Sequence, residues 1–142
     1  MKTVESIGFE AFNPRFLEEG KDFSIEKIVD GVTLIHATNP LNDLFTLEVR
    51  MEMGNDHEAM LPYLKRMLDR SGAGTISSEE LKIEWYKLAT DFNFAVREHL
   101  SAFSINGLDE NFITSLELAH KLLTEPNLSD ETWEETKRII TV

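Results

Sequence analysis

Apolar and polar residues alternate in two separate regions of the chain, and each region predicts an antiparallel hairpin. In the first, a β-rich run begins at Val32, a turn surrounds Pro40, and a second run extends from 44 to 53 with Leu47, Val49 and Met51 on one face. Polar residues occupy the intervening positions, as in a sheet that is packed on one side only. The second region, 92–105, contains a polar reversal and predicts a hairpin of the same sheet.

Helical spacing replaces this alternation after Glu58, where apolar residues recur every three or four positions. Proline is tolerated only in the first turn of a helix, so Pro62 places the predicted start near Glu58, with Asp56 as the N-cap. Ser77 and Glu80 form an S-x-x-E capping box, which predicts the start of a second helix.

Two further helices are predicted in the last third of the chain. Asp109 is the expected cap of the first, which ends before Pro126, and Ser129 is the expected cap of the second. Strands and helices in this order predict an α+β fold in which an antiparallel sheet is packed on one side by helices. Residues 1–31 show no clear period and are interpreted as a lead-in or linker, and residues 32–142 as the domain.

Charge and composition exclude several classes of partner and chemistry. The chain of 142 residues has 14 basic and 26 acidic residues, a net charge of −12, which repels nucleic acid and anionic membrane surfaces. It has no cysteine, which excludes disulfides, thiolate nucleophiles and cysteine-ligated metals. No apolar run reaches the ~20 residues that span a bilayer, and no targeting signal is visible. The compartment therefore remains undetermined, and an exported parent and a cytoplasmic parent are both compatible with the sequence.

The segment from Gly54 to Thr75, GNDHEAMLPYLKRMLDRSGAGT, resembles the active-site segment of the insulinase/pitrilysin-type zinc peptidases. In that family a polar turn leads into a helix that bears H-x-x-E-H and is followed by a Gly-Thr loop. The five motif positions here read Pro62, Tyr63, Leu64, Lys65 and Arg66. They provide no imidazole and no carboxylate, and they include two cations. The frame of the motif is kept, and the zinc-binding residues are replaced at Pro62, Lys65 and Arg66.

Three later segments resemble the same family, in the same order along the chain: GAGTISSEEL, SAFSINGLDENFITSLELAHKLLTEP and SDETWEETKRII. With the motif segment, the resemblance covers roughly residues 32–142. It implies an antiparallel sheet flanked by helices, and it implies that the chain is the first part of such a domain. The segment that would carry the last zinc-binding glutamate falls at or beyond Val142.

The resemblance implies a catalytically inactive domain that contributes to a substrate chamber and packs against an active zinc-peptidase domain of the same parent. No cofactor is expected in this chain, and zinc is expected only in the sister domain. Members of the family bind extended peptides along an edge strand, and Asn93, Phe94 and Ala95 match that strand. A fragment of this kind would expose apolar surfaces through which it could form a homodimer. The alternative is a free-standing protein-binding module that has retained the fold, for which no H-x-x-E-H is expected elsewhere in the reading frame.

Other chemistry has little support in the sequence. The four histidines show no i, i+4 pair, the spacing that would place two metal ligands on one helix face. The densest group of potential ligands, Asp56 to Glu58, is interpreted as the acidic start of a helix, and Glu98-His99 as the polar turn of a hairpin. No serine has a recognisable base beside it. The sequence therefore predicts no metal site and no catalytic residue in this chain.

Overall fold

The computed structural model describes residues 16–140. The strands and helices within these residues, in chain order, are β1 (Phe23–Val29), β2 (Val32–Ala37), β3 (Leu44–Met51), α1 (Leu61–Leu68), β4 (Gly72–Ala73), α2 (Ser78–Lys87), β5 (Asp91–Val96), β6 (Ser101–Leu108), α3 (Phe112–Thr124), β7 (Pro126–Asn127) and α4 (Asp130–Ile140). None of the described helices is long and apolar enough to span a membrane. The chain divides into two compact units at Pro40, and each unit is described by itself.

The first unit contains the β1–β2 hairpin. The two strands are antiparallel, Phe23 lies opposite Ala37, and the pairing is irregular between Lys27 and Val29. Gly31 has a φ of +78°, which glycine adopts without steric cost in the tight turn. β1 therefore lies in the segment 1–31 that was interpreted from the sequence as a lead-in, and β2 belongs to the same unit. The predicted hairpin between the run that begins at Val32 and the run that begins at Leu44 is wrong, because β2 pairs with β1 whereas β3 pairs with β6. The charged residues in β1 and its irregular pairing obscure the alternation that would have predicted a strand. Residues 1–15 of that segment lie outside the described residues.

The second unit is built on a three-stranded antiparallel sheet with the order β3-β6-β5. Opposite residues in the two ladders include Leu47 and Ile105, and Phe94 and Phe103. These four side chains share one face of the sheet, because successive residues of a strand point to opposite faces. The apolar sheet residues that contact the buried core all lie on this face, and the helices pack there. The predicted α+β fold, with helices on one side of an antiparallel sheet, is confirmed.

The core lies between this face and the helices. Its buried members are Leu68, Ala73, Leu81, Phe94 and Leu122, which come from α1, β4, α2, β5 and α3 respectively. Each helix contributes few side chains, so the stability of the unit depends on all of the elements packing together. The two-residue strands β4 and β7 pair with each other, and the sequence analysis predicted neither of them.

The observed helix starts agree in part with those predicted from the sequence. The Ser77 capping box is present at the start of α2, and the Ser129 hydroxyl accepts a hydrogen bond from the Thr132 amide at 3.1 Å. α1 begins at Leu61, three residues later than predicted, and its N-cap is Met60, so the prediction of Asp56 as an N-cap is wrong. Pro62 fits the first turn of the shorter helix. A single 3₁₀ turn from Asp109 to Asn111 precedes α3, so Asp109 is not the N-cap of α3 itself.

Candidate functional site

Pro62 and Arg66, two of the three positions that the sequence resemblance aligns with the zinc motif, line one cavity. The cavity has a volume of about 290 Å³ and is lined by Asn55, Ala59, Pro62, Tyr63, Arg66 and Ile139. Pro62 and Arg66 are four residues apart on α1, so their side chains lie on the same side of the helix. Ile139 comes from α4, which packs against α1. The cavity is therefore formed by α1, the loop before it and the last turn of α4.

The loop before α1 is attached to the turn between β5 and β6. The amide of Asn55 donates a hydrogen bond to the carbonyl of Arg97 at 3.0 Å, and the amide of Asp56 donates to the carbonyl of Glu98 at 3.1 Å. A Cβ atom on Gly54 would lie 2.2 Å from the Glu98 carbonyl oxygen, so the chain can approach this closely only at glycine. These contacts place the Asn55 side chain at the edge of the cavity.

The two cations of α1, Lys65 and Arg66, and Arg70 just after the helix have different surroundings. The ammonium group of Lys65 pairs with Asp69 at 3.0 Å, away from the cavity lining. The guanidinium group of Arg70 pairs with Glu135 of α4, which links the two helices. Arg66 has no ion pair or hydrogen bond to any side chain in the described part of the protein. The cation that lines the cavity is thus the one on this helix that remains uncompensated.

The residues at this position do not fit a zinc ion. Zinc in peptidases is held by imidazole and carboxylate ligands, and a carboxylate beside it activates the bound water. Pro62 has no donor atom, and the permanent charge of Arg66 repels a dication. No cluster of three or more His, Cys, Asp or Glu side chains among residues 16–140 has a geometry that could hold a metal ion. No catalytic step through zinc can be derived at this site.

A group of polar side chains lies beside the cavity. The carboxylate of Asp56 contacts Nδ1 of His57 at 2.6 Å and also contacts Nδ1 of His99, which is in the β5–β6 turn. Desolvation raises the pKa of Asp56, but hydrogen bonds from His99 and His57 outweigh it and hold this pKa below its ordinary value. The sequence analysis treated Asp56-His57 and His99 as unrelated exposed residues. Their contact depends on the docking of the loop on the turn, which no local pattern reveals.

β5 is an edge strand of the sheet that the structure describes, since it pairs only with β6 there. The amide of Arg97 bonds to the carbonyl of Leu100 across the hairpin. Backbone groups in an antiparallel ladder face the partner strand at every second residue, so those of Phe94 and Val96 face away from β6. Of the three edge residues named from the sequence, Phe94 directs its backbone groups outward, whereas Asn93 and Ala95 direct theirs toward β6.

A second cavity, of about 380 Å³, opens between α1, α2 and the start of β5. The rings of Trp85 and Phe92 stack in its wall with their centroids 6.0 Å apart. Its floor includes the buried leucines Leu68, Leu81 and Leu122, and polar side chains including Asp69 and Lys82 lie around it. This cavity has the mixture of apolar walls and a few polar groups that is typical of side-chain binding sites.

Solved structures of peptidase domains share this architecture. The inactive domain of an M16 peptidase from Pseudomonas fluorescens has a TM-score of 0.71 and 14% identity, over 82% of this chain and 30% of that chain. The chain has the fold of an M16 peptidase domain. M16 is the insulinase/pitrilysin type, so the fold predicted from the sequence is confirmed.

Two further structures with the M16-type fold are similar over nearly the whole chain. The periplasmic protease PqqL from Escherichia coli has a TM-score of 0.67 and 14% identity, over 96% of this chain and 18% of that chain. The ferredoxin protease FusC, solved in complex with Arabidopsis ferredoxin, has a TM-score of 0.64 and 15% identity, over 94% of this chain and 17% of that chain. The chain therefore spans less than a third of the length of these proteins. No protein-family model matches the sequence, and no curated protein matches it.

Tertiary packing explains why two residues of the cavity could not be found from the sequence. Pro62 and Arg66 were found because they occupy motif positions. Ile139 and Asn55 reach the cavity through the packing of α4 on α1 and the docking of the loop on the β5–β6 turn. Both are tertiary contacts between segments that are far apart in sequence, so no local pattern could have indicated them.

Proposed function

We propose that this chain is a non-catalytic domain of an M16-type peptidase assembly. The proposal is supported by the combination of an M16 peptidase fold with Pro62, Lys65 and Arg66 at the positions that the sequence resemblance aligns with the zinc motif. A domain with these residues has neither the ligands nor the base of the zinc mechanism. The similarity to an M16 domain that is itself described as inactive supports the same conclusion.

The role of such a domain is structural and lies in contacts with other domains. The match covers only 30%, 18% and 17% of the three solved chains, so each of them contains much further chain beyond the matched part. We infer that this chain packs against an active, zinc-bearing sister domain and forms part of the wall of a substrate chamber. Any zinc of the assembly is then held by the sister domain. A free-standing binding module with the same fold is the alternative that the experiments below also test.

The open edge of β5 gives the domain a means of contacting peptides without catalytic residues. An extended peptide can add to an edge strand through backbone hydrogen bonds, and pockets beside the strand select its side chains. The outward backbone groups of Phe94 and Val96 supply the bonds, and the cavity beside Phe92 could hold one apolar side chain of the peptide. The net charge of −12 favours basic peptides over acidic ones.

Zinc content and peptidase activity test the loss of catalysis. The full chain is equilibrated with excess zinc, freed of unbound metal and assayed by elemental analysis and with a fluorogenic peptide. We expect much less than one zinc per chain and no hydrolysis above a protein-free control. One tightly held zinc per chain together with chelator-sensitive hydrolysis would refute the proposal.

Peptide binding is tested by an NMR titration with a ten-residue peptide of alternating valine and lysine. We expect the amide signals of Phe94 and Val96 to shift in a saturable way, while those of β3, the opposite edge of the sheet, serve as an internal control. Shifts of equal size at both edges would indicate unspecific association and would contradict the assignment of β5 as the peptide edge. If the parent reading frame also lacks H-x-x-E-H elsewhere, the free-standing module replaces the sister-domain role.

A further inference from the structure

The cavity beside α1 is lined by three polar side chains whose functional groups bond to no other side chain among the described residues. The guanidinium group of Arg66, the carboxamide of Asn55 and the phenol of Tyr63 form no hydrogen bond or ion pair with other side chains in the described part of the protein. Each of these groups can donate a hydrogen bond. The remaining lining residues, Ala59, Pro62 and Ile139, have no polar side-chain atom.

The charge of the lining favours an anion despite the acidity of the chain as a whole. Among residues 16–140, no aspartate or glutamate lines the cavity, although the sequence has 26 acidic residues against 14 basic ones. The neighbouring cations Lys65 and Arg70 are paired with carboxylates. Of these three cations, Arg66 is the one whose charge is not paired with a described carboxylate and can bind an anionic ligand. A guanidinium group binds carboxylates through two parallel hydrogen bonds, a geometry that a lysine cannot reproduce.

We propose that this cavity is a binding site for a carboxylate group on a short aliphatic chain, held by Arg66 with Asn55 and Tyr63 as additional donors. A volume of about 290 Å³ admits a group of a few heavy atoms, and the apolar wall accommodates its methylene groups. One cation suits a monoanion better than a phosphate dianion, because the surrounding protein is strongly negative. The site goes beyond the proposed function and does not depend on it.

The carboxylate could come from a free small molecule or from a glutamate side chain of a peptide, and separate titrations distinguish these sources. Sodium butyrate serves as the free carboxylate, and butyramide as its uncharged equivalent. The peptides acetyl-Gly-Glu-Gly-amide and acetyl-Gly-Gln-Gly-amide differ in the same way. Binding is followed by NMR at constant ionic strength, using the Arg66 Nε–H signal and the Asn55 side-chain signals.

We expect saturable shifts with butyrate and a dissociation constant on the order of millimolar, since the site is open and offers one charged contact. Arg66→Gln is expected to weaken binding at least about tenfold, because it removes the charge-assisted pair. Arg66→Lys is expected to retain part of the affinity, and Tyr63→Phe to weaken it a few-fold. Lys87→Gln, which removes an exposed cation of α2, is the matched control and is expected to leave the affinity unchanged.

The Arg66→Gln variant is expected to fold because Arg66 is exposed, and the dispersion of its amide signals checks this. Binding of the glutamate peptide as well as butyrate would support a side-chain carboxylate as the ligand, and binding of butyrate alone would support a free small molecule. Equal shifts with butyramide, unchanged binding in Arg66→Gln, or the absence of saturable shifts with either carboxylate would overturn the proposal. The zinc and peptidase measurements do not enter this test, so the two proposals fail independently.

Discussion

Restoring the replaced motif should restore zinc binding if α1 is the counterpart of the zinc helix. The variant combines Pro62→His, Lys65→Glu and Arg66→His, which reinstates H-x-x-E-H on α1. Positions 62 and 66 line the same cavity, so the two imidazoles would lie side by side, about 5–6 Å apart at Cβ. The substitutions also replace two cations by one carboxylate and two neutral rings.

The variant should fold, because the substitutions disturb few contacts. Arg66 has no partner to lose within the described residues, and Pro62 lies in the first turn of α1, where histidine is also tolerated. The exposed pair between Lys65 and Asp69 is worth about 0.3–0.5 kcal/mol. Leu61 and Leu68, which anchor the helix in the protein, are unchanged.

Zinc should then stabilise the variant and leave the unmodified chain unaffected. Free zinc at about one hundred times the dissociation constant raises the free energy of unfolding by about 2.7 kcal/mol. For a chain of this size the melting temperature would rise by roughly 8 °C. The gain should disappear as the pH falls from 7.5 to 5, because protonated imidazole cannot bind metal.

The assay is thermal unfolding with zinc or with a chelator, together with elemental analysis of the metal-loaded protein. The double variant Lys65→Glu, Arg66→His is the matched control, because it makes the same charge change and supplies one imidazole instead of two. A folded triple variant that takes up no more zinc than this control would show that α1 is not aligned with the zinc helix of M16 peptidases.

Three further predictions concern stability, measured by urea unfolding at an unchanged m-value. Ser101→Ala should stabilise the protein by about 1 kcal/mol, because the buried Ser101 hydroxyl has no partner in the described chain. Ser115→Ala should destabilise the protein by a similar amount, because it breaks the 2.7 Å hydrogen bond to Thr90. The same sign for both substitutions would refute this reasoning. Ser77→Ala should cost about 1 kcal/mol. Hydrogen bonds from the backbone amide and the hydroxyl of Ser77 hold the pKa of Glu80 below its ordinary value, and Ser77→Ala removes only the hydroxyl bond. The part of the cost due to that bond should be present above pH 4.5 and disappear on acidification, and a cost independent of pH would contradict it. Gly54→Ala should destabilise by about 2 kcal/mol or more by displacing the loop from the β5–β6 turn, and an unchanged midpoint would contradict it.

Local patterns were sufficient for most elements of the second unit. Alternation predicted β3, β5 and β6, because a sheet covered on one side separates apolar from polar residues at every second position. The capping box predicted α2, because a hydroxyl and a carboxylate at that spacing satisfy the first amides of a helix. The start of α1 was misplaced by three residues because Asp56 and Glu58 resemble the acidic first turn of a helix. They lie instead in a loop, where the amide of Asp56 bonds to the distant carbonyl of Glu98 and the amide of Glu58 to the nearby carbonyl of Gly54.

Less of the candidate site than of the fold could be predicted from the sequence. Pro62 and Arg66 were identified from the sequence because they align with histidine positions of the zinc motif, and this alignment says nothing about a new activity. The properties that support a carboxylate site depend on which charges are paired, and the pairing of Arg70 with Glu135 joins two residues that are 65 positions apart in the sequence. Charge pairing between distant helices leaves no periodic signal in the sequence.

If α1 is the counterpart of the zinc helix, the separation of two sets of side chains explains how the fold can be kept without the zinc residues. The residues that hold α1 in place, Leu61 and Leu68, point into the protein, whereas Pro62 and Arg66 line the cavity on another side of the helix. Substitutions on the cavity side therefore change charge and chemistry without creating a void in the core. Substitutions on this side of the helix can therefore convert a metal site into an anion site, because they change only exposed side chains and leave one unpaired cation.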